Sequence, residues 1–158
     1  MLVMRCTQKV LKRLGPARPD APESTTALGD WFVQPFSLGH QRLLVLVSST
    51  SRMPVVLWAR DLKNLATVFP DALRDVLLRI GVPPADVWRE LQECRDVVIA
   101  ATNSRSILGS ANDCIQMMKW RLPDSPDLDL HAISLWLGDA PSSPLGYASP
   151  HEVALGLL

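Results

Sequence analysis

Arg42-Leu43-Leu44-Val45-Leu46-Val47-Ser48 is the stretch on which the fold turns. Its apolar residues follow one another without alternation, the pattern of a strand buried on both faces rather than one wetted on every second residue. Upstream, Trp31 to Leu38 is aromatic and β-branched, and Gly39-His40 supplies a turn between the two. Downstream, Ser48 to Arg52 is a second polar turn, and Pro54 to Ala59 is a third strand that starts at its proline. Connections this short make the three strands an antiparallel meander.

Working outward toward the N-terminus, Leu2 to Cys6 is short, apolar and extended. Thr7 is placed to cap a helix over Gln8 to Leu14, which puts Val10, Leu11 and Leu14 on one face and ends at Gly15-Pro16. Pro16 to Thr26 lacks periodicity and reads as loop. Beyond the meander, Asp71 to Ile80 and Pro84 to Cys94 carry apolar residues at helical spacing. Trp58 and Trp88 fall on the faces expected to be core. Asp96 to Thr102 reads as a strand, and a helix runs from Ser106 or Ser110 to Leu122 with Ala111, Cys114, Ile115 and Met118 inward. After the break at Pro123 to Pro126, Asp129 to Leu137 suits a short helix. Ser149-Pro150-His151-Glu152 is a capping box that opens a terminal helix, His151 to Leu158. The expected fold is α+β: an antiparallel sheet of four or five strands with helices mainly on one face, and a helical C-terminal tail. Residues 1–122 form the expected domain, and residues 123–158 an extension packed on it.

The chain has 158 residues, 47% of them hydrophobic and 20% charged, enough for one sizeable core and too apolar for disorder. Sixteen basic residues balance sixteen acidic ones, which excludes a strongly basic nucleic-acid binder. Cys6, Cys94 and Cys114 form neither an even set nor a close pair, so they fit a reducing compartment, with no disulfide framework and no metal knuckle. No apolar run is long enough for a membrane helix, and no secretory signal is evident, so the cytosol is the expected location. The charge is uneven along the chain. Arg5, Lys9, Lys12, Arg13 and Arg18 occur with no acid among them, whereas Asp124, Asp127, Asp129, Asp139 and Glu152 lie beyond the last basic residue. Mutual neutralisation of head and tail is the simpler expectation; an anion-binding head is the sharper one.

The stretch Thr102 to Asp113 holds the most chemistry. A strand end delivering a polar turn to a helix N-terminus aims backbone N–H groups at one spot, which suits a phosphate or carboxylate. Arg105 could add a bidentate fork, with Asn103, Ser106, Asn112 and Asp113 beside it. Ordinary helix capping uses the same residue types, and neither GxxxxGK[ST] nor GxGxxG is present. Gly29-Asp30-Trp31 is a turn before a strand, with Asp30 available to pair with Arg5 or Arg105. His40, His131 and His151 lack metal-ligand spacing and read as surface residues, so no metal or cofactor is expected. Trp120, between Lys119 and Arg121, suits either a partner surface or cover by the tail.

Arg5-Cys6-Thr7 with Lys9, Leu28-Gly29-Asp30-Trp31, and Asn103-x-Arg105-Ser106-x-Leu108-Gly109-Ser110-x-Asn112-Asp113 resemble, in this order, an uncharacterised bacterial domain family of unknown function over Met1 to Leu122. The family pattern has Asn and Met where Ser104 and Ala111 stand here. The resemblance implies a bacterial cytosolic α+β domain and supplies no reaction. Pro144 to Glu152 is also similar to a tail motif of some transposase and integrase catalytic domains. The acidic triad of those enzymes is not evident, and a tight turn plus capping box accounts for the same residues. The function expected is non-catalytic binding of a protein or an anionic ligand through Arg5, Asp30, Asn103, Arg105, Ser106, Asn112 and Asp113. Neither a membrane nor, on net charge, a nucleic acid is the expected partner. The alternative is a small enzyme acting on a phosphorylated or nucleic-acid substrate, with Arg105 binding the anion, Asp113 as base or metal ligand, and Asn112 positioning the substrate.

Overall fold

The run Leu43 to Val47 is buried throughout and lies within β3 (Gln41–Ser48), flanked on both sides by antiparallel partners. A computed structural model describes all residues from Met1 to Leu158. β2 (Trp31–Leu38) and β4 (Pro54–Trp58) complete the meander, with Val45 opposite Gln34 on one side and Val56 on the other. β1 (Leu2–Cys6) lies between β2 and β5 (Val97–Ala101) and is parallel to both, in the order β4-β3-β2-β1-β5. The sheet is therefore mixed, not antiparallel as the sequence reading had it. The cause is the length of the connections at β1. A tight turn reverses a chain, whereas the segment from Thr7 to Asp30 contains a helix and a long loop and returns β2 in the direction of β1.

Successive residues of β3 face opposite cores. Leu44 and Leu46 join Phe69, Leu73 and Leu77 of α2 (Leu65–Arg79), Val87 of α3 (Pro84–Glu93) and Val10 of α1 (Gln8–Leu14). Leu43, Val45 and Val47 join Ile107, Ile115 and Met118 of α4 (Arg105–Arg121) and Ile133 and Leu137 of α5 (Leu130–Gly138). Helices thus cover both faces of the sheet, which corrects the expectation of mainly one. A strand apolar on both sides requires two covering layers. Residues 123–158 feed both cores, since Ala154 of α6 (Pro150–Leu157) belongs to the first.

Local chemistry sets the helix ends. Ser104, Asp129 and Ser149 accept from the backbone N–H three residues on, and Glu152 closes the capping box. α2 begins six residues before the expected Asp71 and carries Pro70 inside it. Pro70 leaves the Ala66 carbonyl without its helical partner; Ala66 is exposed, where water can serve that carbonyl. Trp88 is 62% exposed rather than core. Glu90 takes the inward position instead and accepts from the Ala27 and Leu28 N–H groups at 2.9 and 3.0 Å, which turns α3 so that Trp88 lies on its flank.

Candidate functional site

β1, the start of β2 and the end of β5 meet at one corner of the sheet. Arg5 and Phe32 are register partners, so Arg5 and Asp30, two residues before Phe32, project on the same face. Arg5 Nε donates to Asp30 Oδ2 at 2.8 Å, with only 12% and 11% of the two side chains exposed. Arg5 Nη1 reaches the Ala101 carbonyl at 3.4 Å. The other Asp30 oxygen accepts from the Ser24 N–H and hydroxyl at 2.9 and 2.8 Å, and the Ser24 hydroxyl oxygen accepts in turn from the Val3 N–H. These bonds fix three strands and the Ser24 loop in one register.

Asp30 and Ser24 form one wall of a cavity of about 350 Å³, closed by Thr26, Thr50, Phe32 and Ile107. Gly29 stands at φ +71°, and a Cβ there would collide with the Ser49 and Thr50 side chains, so the close approach of the two turns requires glycine. Thr26 and Thr50 donate to the Gly29 and Ala27 carbonyls. The Asn103 amide and the Ser49 hydroxyl also line the cavity but stand outside this hydrogen-bond network.

The remaining candidates are spread along α4. Arg105 is its first residue and is exposed, without an ion-pair partner. Ser106 and Ser110 accept from Nη2 and Nη1 of Arg52, both at 3.2 Å. Asn112 accepts from Gln34 Nε2 at 2.8 Å. Asp113 borders a separate groove shared with Tyr147 and Pro150 of the tail. Because the helix begins at Arg105, and not at Ser106 or Ser110, Asn112 and Asp113 lie beyond its first two turns, away from its N-terminus. Asp30 and Asn103 are therefore brought to one cavity, which Arg5 reaches only through its ion pair with Asp30; Arg105, Ser106, Asn112 and Asp113 are not brought there.

Sequence reasoning missed Ser24, Arg52 and Glu90. Ser24 and Arg52 lie in turns with no periodic pattern, and a glutamate in a helix reads as solvent-facing unless its partners are known. Burial outweighs the two N–H donors at Glu90 and raises its carboxyl above the ordinary value. Burial also pushes the Cys6, Cys94 and Cys114 thiols up to about 12, which keeps them protonated and poor nucleophiles at neutral pH. No three His, Cys, Asp or Glu side chains are grouped to hold a metal ion. His151, expected at the surface, is only 3% exposed; it packs against Gly138 with Nδ1 3.0 Å from Asp139. Trp120 is 79% exposed, so the tail does not cover it.

The basic head and the acidic tail do not neutralise one another. Asp124 is held by His40 and Gln41, which lowers its carboxyl below the ordinary value. Asp129 caps α5, Asp139 bonds His151, and Glu152 serves its capping box. No helix is long and apolar enough to cross a membrane.

The fold and this corner define an α+β domain with a mixed sheet and a polar cavity beside it. The chain belongs to the family described as a domain of unknown function, DUF6933, which it matches over residues 3–153. No curated protein and no solved structure matches it.

Proposed function

We propose that the protein is a non-catalytic binding protein of the bacterial cytosol, and that its recognition site is the cavity at the Arg5–Asp30 corner. One observation carries the reading. Three segments far apart in sequence, Ser24 to Asp30, Ser49-Thr50 and Asn103, converge on one polar cavity, and internal hydrogen bonds, the Arg5–Asp30 pair among them, already fix its walls. A preorganised wall loses little entropy on binding. The Asn103 amide and the Ser49 hydroxyl supply donors and acceptors that no protein group uses, the means of orienting a small polar ligand. The enzyme alternative needs Arg105, Asn112 and Asp113 at one reacting centre. Eight residues of helix separate Arg105 from Asp113, about 12 Å along the axis, and Asn112 is engaged by Gln34. That spread favours binding over catalysis.

The test is an amide NMR screen of the ¹⁵N-labelled chain against a set of sugars, free amino acids and nucleosides. The expected result is a compound that shifts Thr26, Gly29, Thr50 and Asn103 together, and that loses about tenfold in affinity, roughly 1.4 kcal/mol, in Asn103→Ala. A set that leaves all four resonances unmoved overturns the reading, as does a hit indifferent to Asn103→Ala.

A further inference from the structure

At the other end of the β2–β3 hairpin the same sheet carries a second, chemically opposite cavity. We propose that the cleft between α1 and the 3-10 helix Ala59–Asn64 binds a small organic phosphate, its dianionic head held by Lys9, Arg13 and Arg42 and its apolar body laid against Pro35 and the alkyl stems of Lys9 and Arg13.

The cleft has a volume of about 280 Å³, near the lower end of the range for small-molecule sites. Lys9 and Arg13 are four residues apart on α1, so they project from one face of that helix. Arg42 approaches from β3, opposite Ser37 of β2, whose hydroxyl also lines the cleft. The three cations surround an apolar floor, and no carboxylate lines the site.

None of the three makes a salt bridge, although the chain holds as many acids as bases. Two acids on or against elements that adjoin the cleft face elsewhere. Asp61 of the 3-10 helix faces a different cavity, beside α2 and α5, and Asp124 is occupied by His40 and Gln41 at the hairpin turn. Like charges at i,i+4 on a helix repel, and a third cation across the cleft adds to that repulsion. A bound dianion removes it.

The number of cations selects the ligand charge. A phosphate monoester carries nearly two charges at neutral pH and three acceptor oxygens, enough to engage two guanidinium forks and an ammonium, whereas a carboxylate carries one charge. A concave site with an apolar floor suits a small molecule; an extended polyanion calls for cations in a stripe along an open surface.

The experiment titrates the full-length ¹⁵N-labelled chain at constant ionic strength with phenyl phosphate, inorganic phosphate and benzoate in separate arms. Phenyl phosphate is expected to give saturable shifts confined to Val10, Ser37, Leu43 and Leu44, with affinity about tenfold above either comparison ligand. Arg13→Ala and Arg42→Ala should each weaken it at least fivefold, while Lys12→Ala, on the same helix but outside the cleft, should leave it unchanged. Equal binding of inorganic phosphate would overturn the role of the apolar floor, and equal binding of benzoate would overturn the dianion preference. Shifts that never saturate, or that survive both arginine substitutions, would overturn the site itself. The wild-type arms decide the matter even if a variant misfolds. Because the Asn103 resonances lie at the far end of the hairpin, failure here is distinguishable from failure of the first cavity.

Discussion

Two buried carboxylates on this chain are held by different means. Asp30 faces a guanidinium and three further polar groups that connect to it or its partner, so its charge is matched inside the fold. Glu90 has only the N–H groups of Ala27 and Leu28 and no cation bonded to it. Burial is the largest influence on Glu90, and its folded-state pKa lies above the ordinary value of 4.5. A raised folded value means that the unionised carboxyl is the form the fold favours. Its contribution is fully present below the unfolded value and is lost as pH rises through the folded one. Glu90→Gln cannot ionise and removes that slope. Urea denaturation of both proteins from about pH 4 to about pH 7 should show the stability difference most in favour of wild type at the acid end and shrinking toward neutrality. A difference that grows with pH would mean that the two N–H donors outweigh burial.

At the scale of elements, the turn between β3 and β4 does more than reverse the chain. Arg52 stands at φ +61°, a conformation costing a residue with a Cβ roughly 1–2 kcal/mol, and from there its guanidinium spans Ser106 and Ser110 on α4. Arg52→Ala keeps the backbone strain and loses both bonds. Arg52→Gly loses the same bonds but relieves the strain, offset in part by roughly 0.5–1 kcal/mol of added chain entropy in the unfolded state. Chemical denaturation should rank wild type first, Arg52→Gly second and Arg52→Ala last, with the two variants separated by up to about 1 kcal/mol. An inverted order of the variants would show that the turn is not strained. This element also marks where the sequence is legible. The meander can be read because each reversal is local, at Gly39-His40 and at Ser48 to Arg52, and the α6 cap because Ser149 and Glu152 are three residues apart. The parallel pairing of Leu2–Cys6 with Val97–Ala101 has no local signal, since nothing in either segment names the other. The same limit applies to the site. Arg5, Asp30 and Asn103 are polar residues at element ends and can be picked out, but Ser24 and Arg52 acquire partners only once the strands are in register.

Taken as a whole, the molecule is a sheet that needs both of its covers, a requirement already present in Leu43 to Val47 but not carried through in an expectation of helices on one side. The residues beyond Arg121 supply part of the second cover. Ile133 and Leu137 of α5 pack with Val45, Val47 and Val56, and the Ser134 hydroxyl accepts from the N–H of Val56, a bond the edge strand β4 would otherwise lack. Without α5, that N–H and the apolar face beneath it meet water. Losing the burial of two such side chains costs about 3–6 kcal/mol at roughly 1.5–3 kcal/mol each, against a total stability typically about 5–15 kcal/mol. A chain ending at residue 122 should therefore unfold at much lower urea concentration than the full chain, or lose its cooperative transition and bind a hydrophobic dye. Far-UV circular dichroism through a urea titration, with dye fluorescence in parallel, measures both. If residues 1–122 melted cooperatively at the midpoint of the full chain, the sheet would be stable under a single helical cover on that face, and α5 would be an appendage on a core that α4 alone completes.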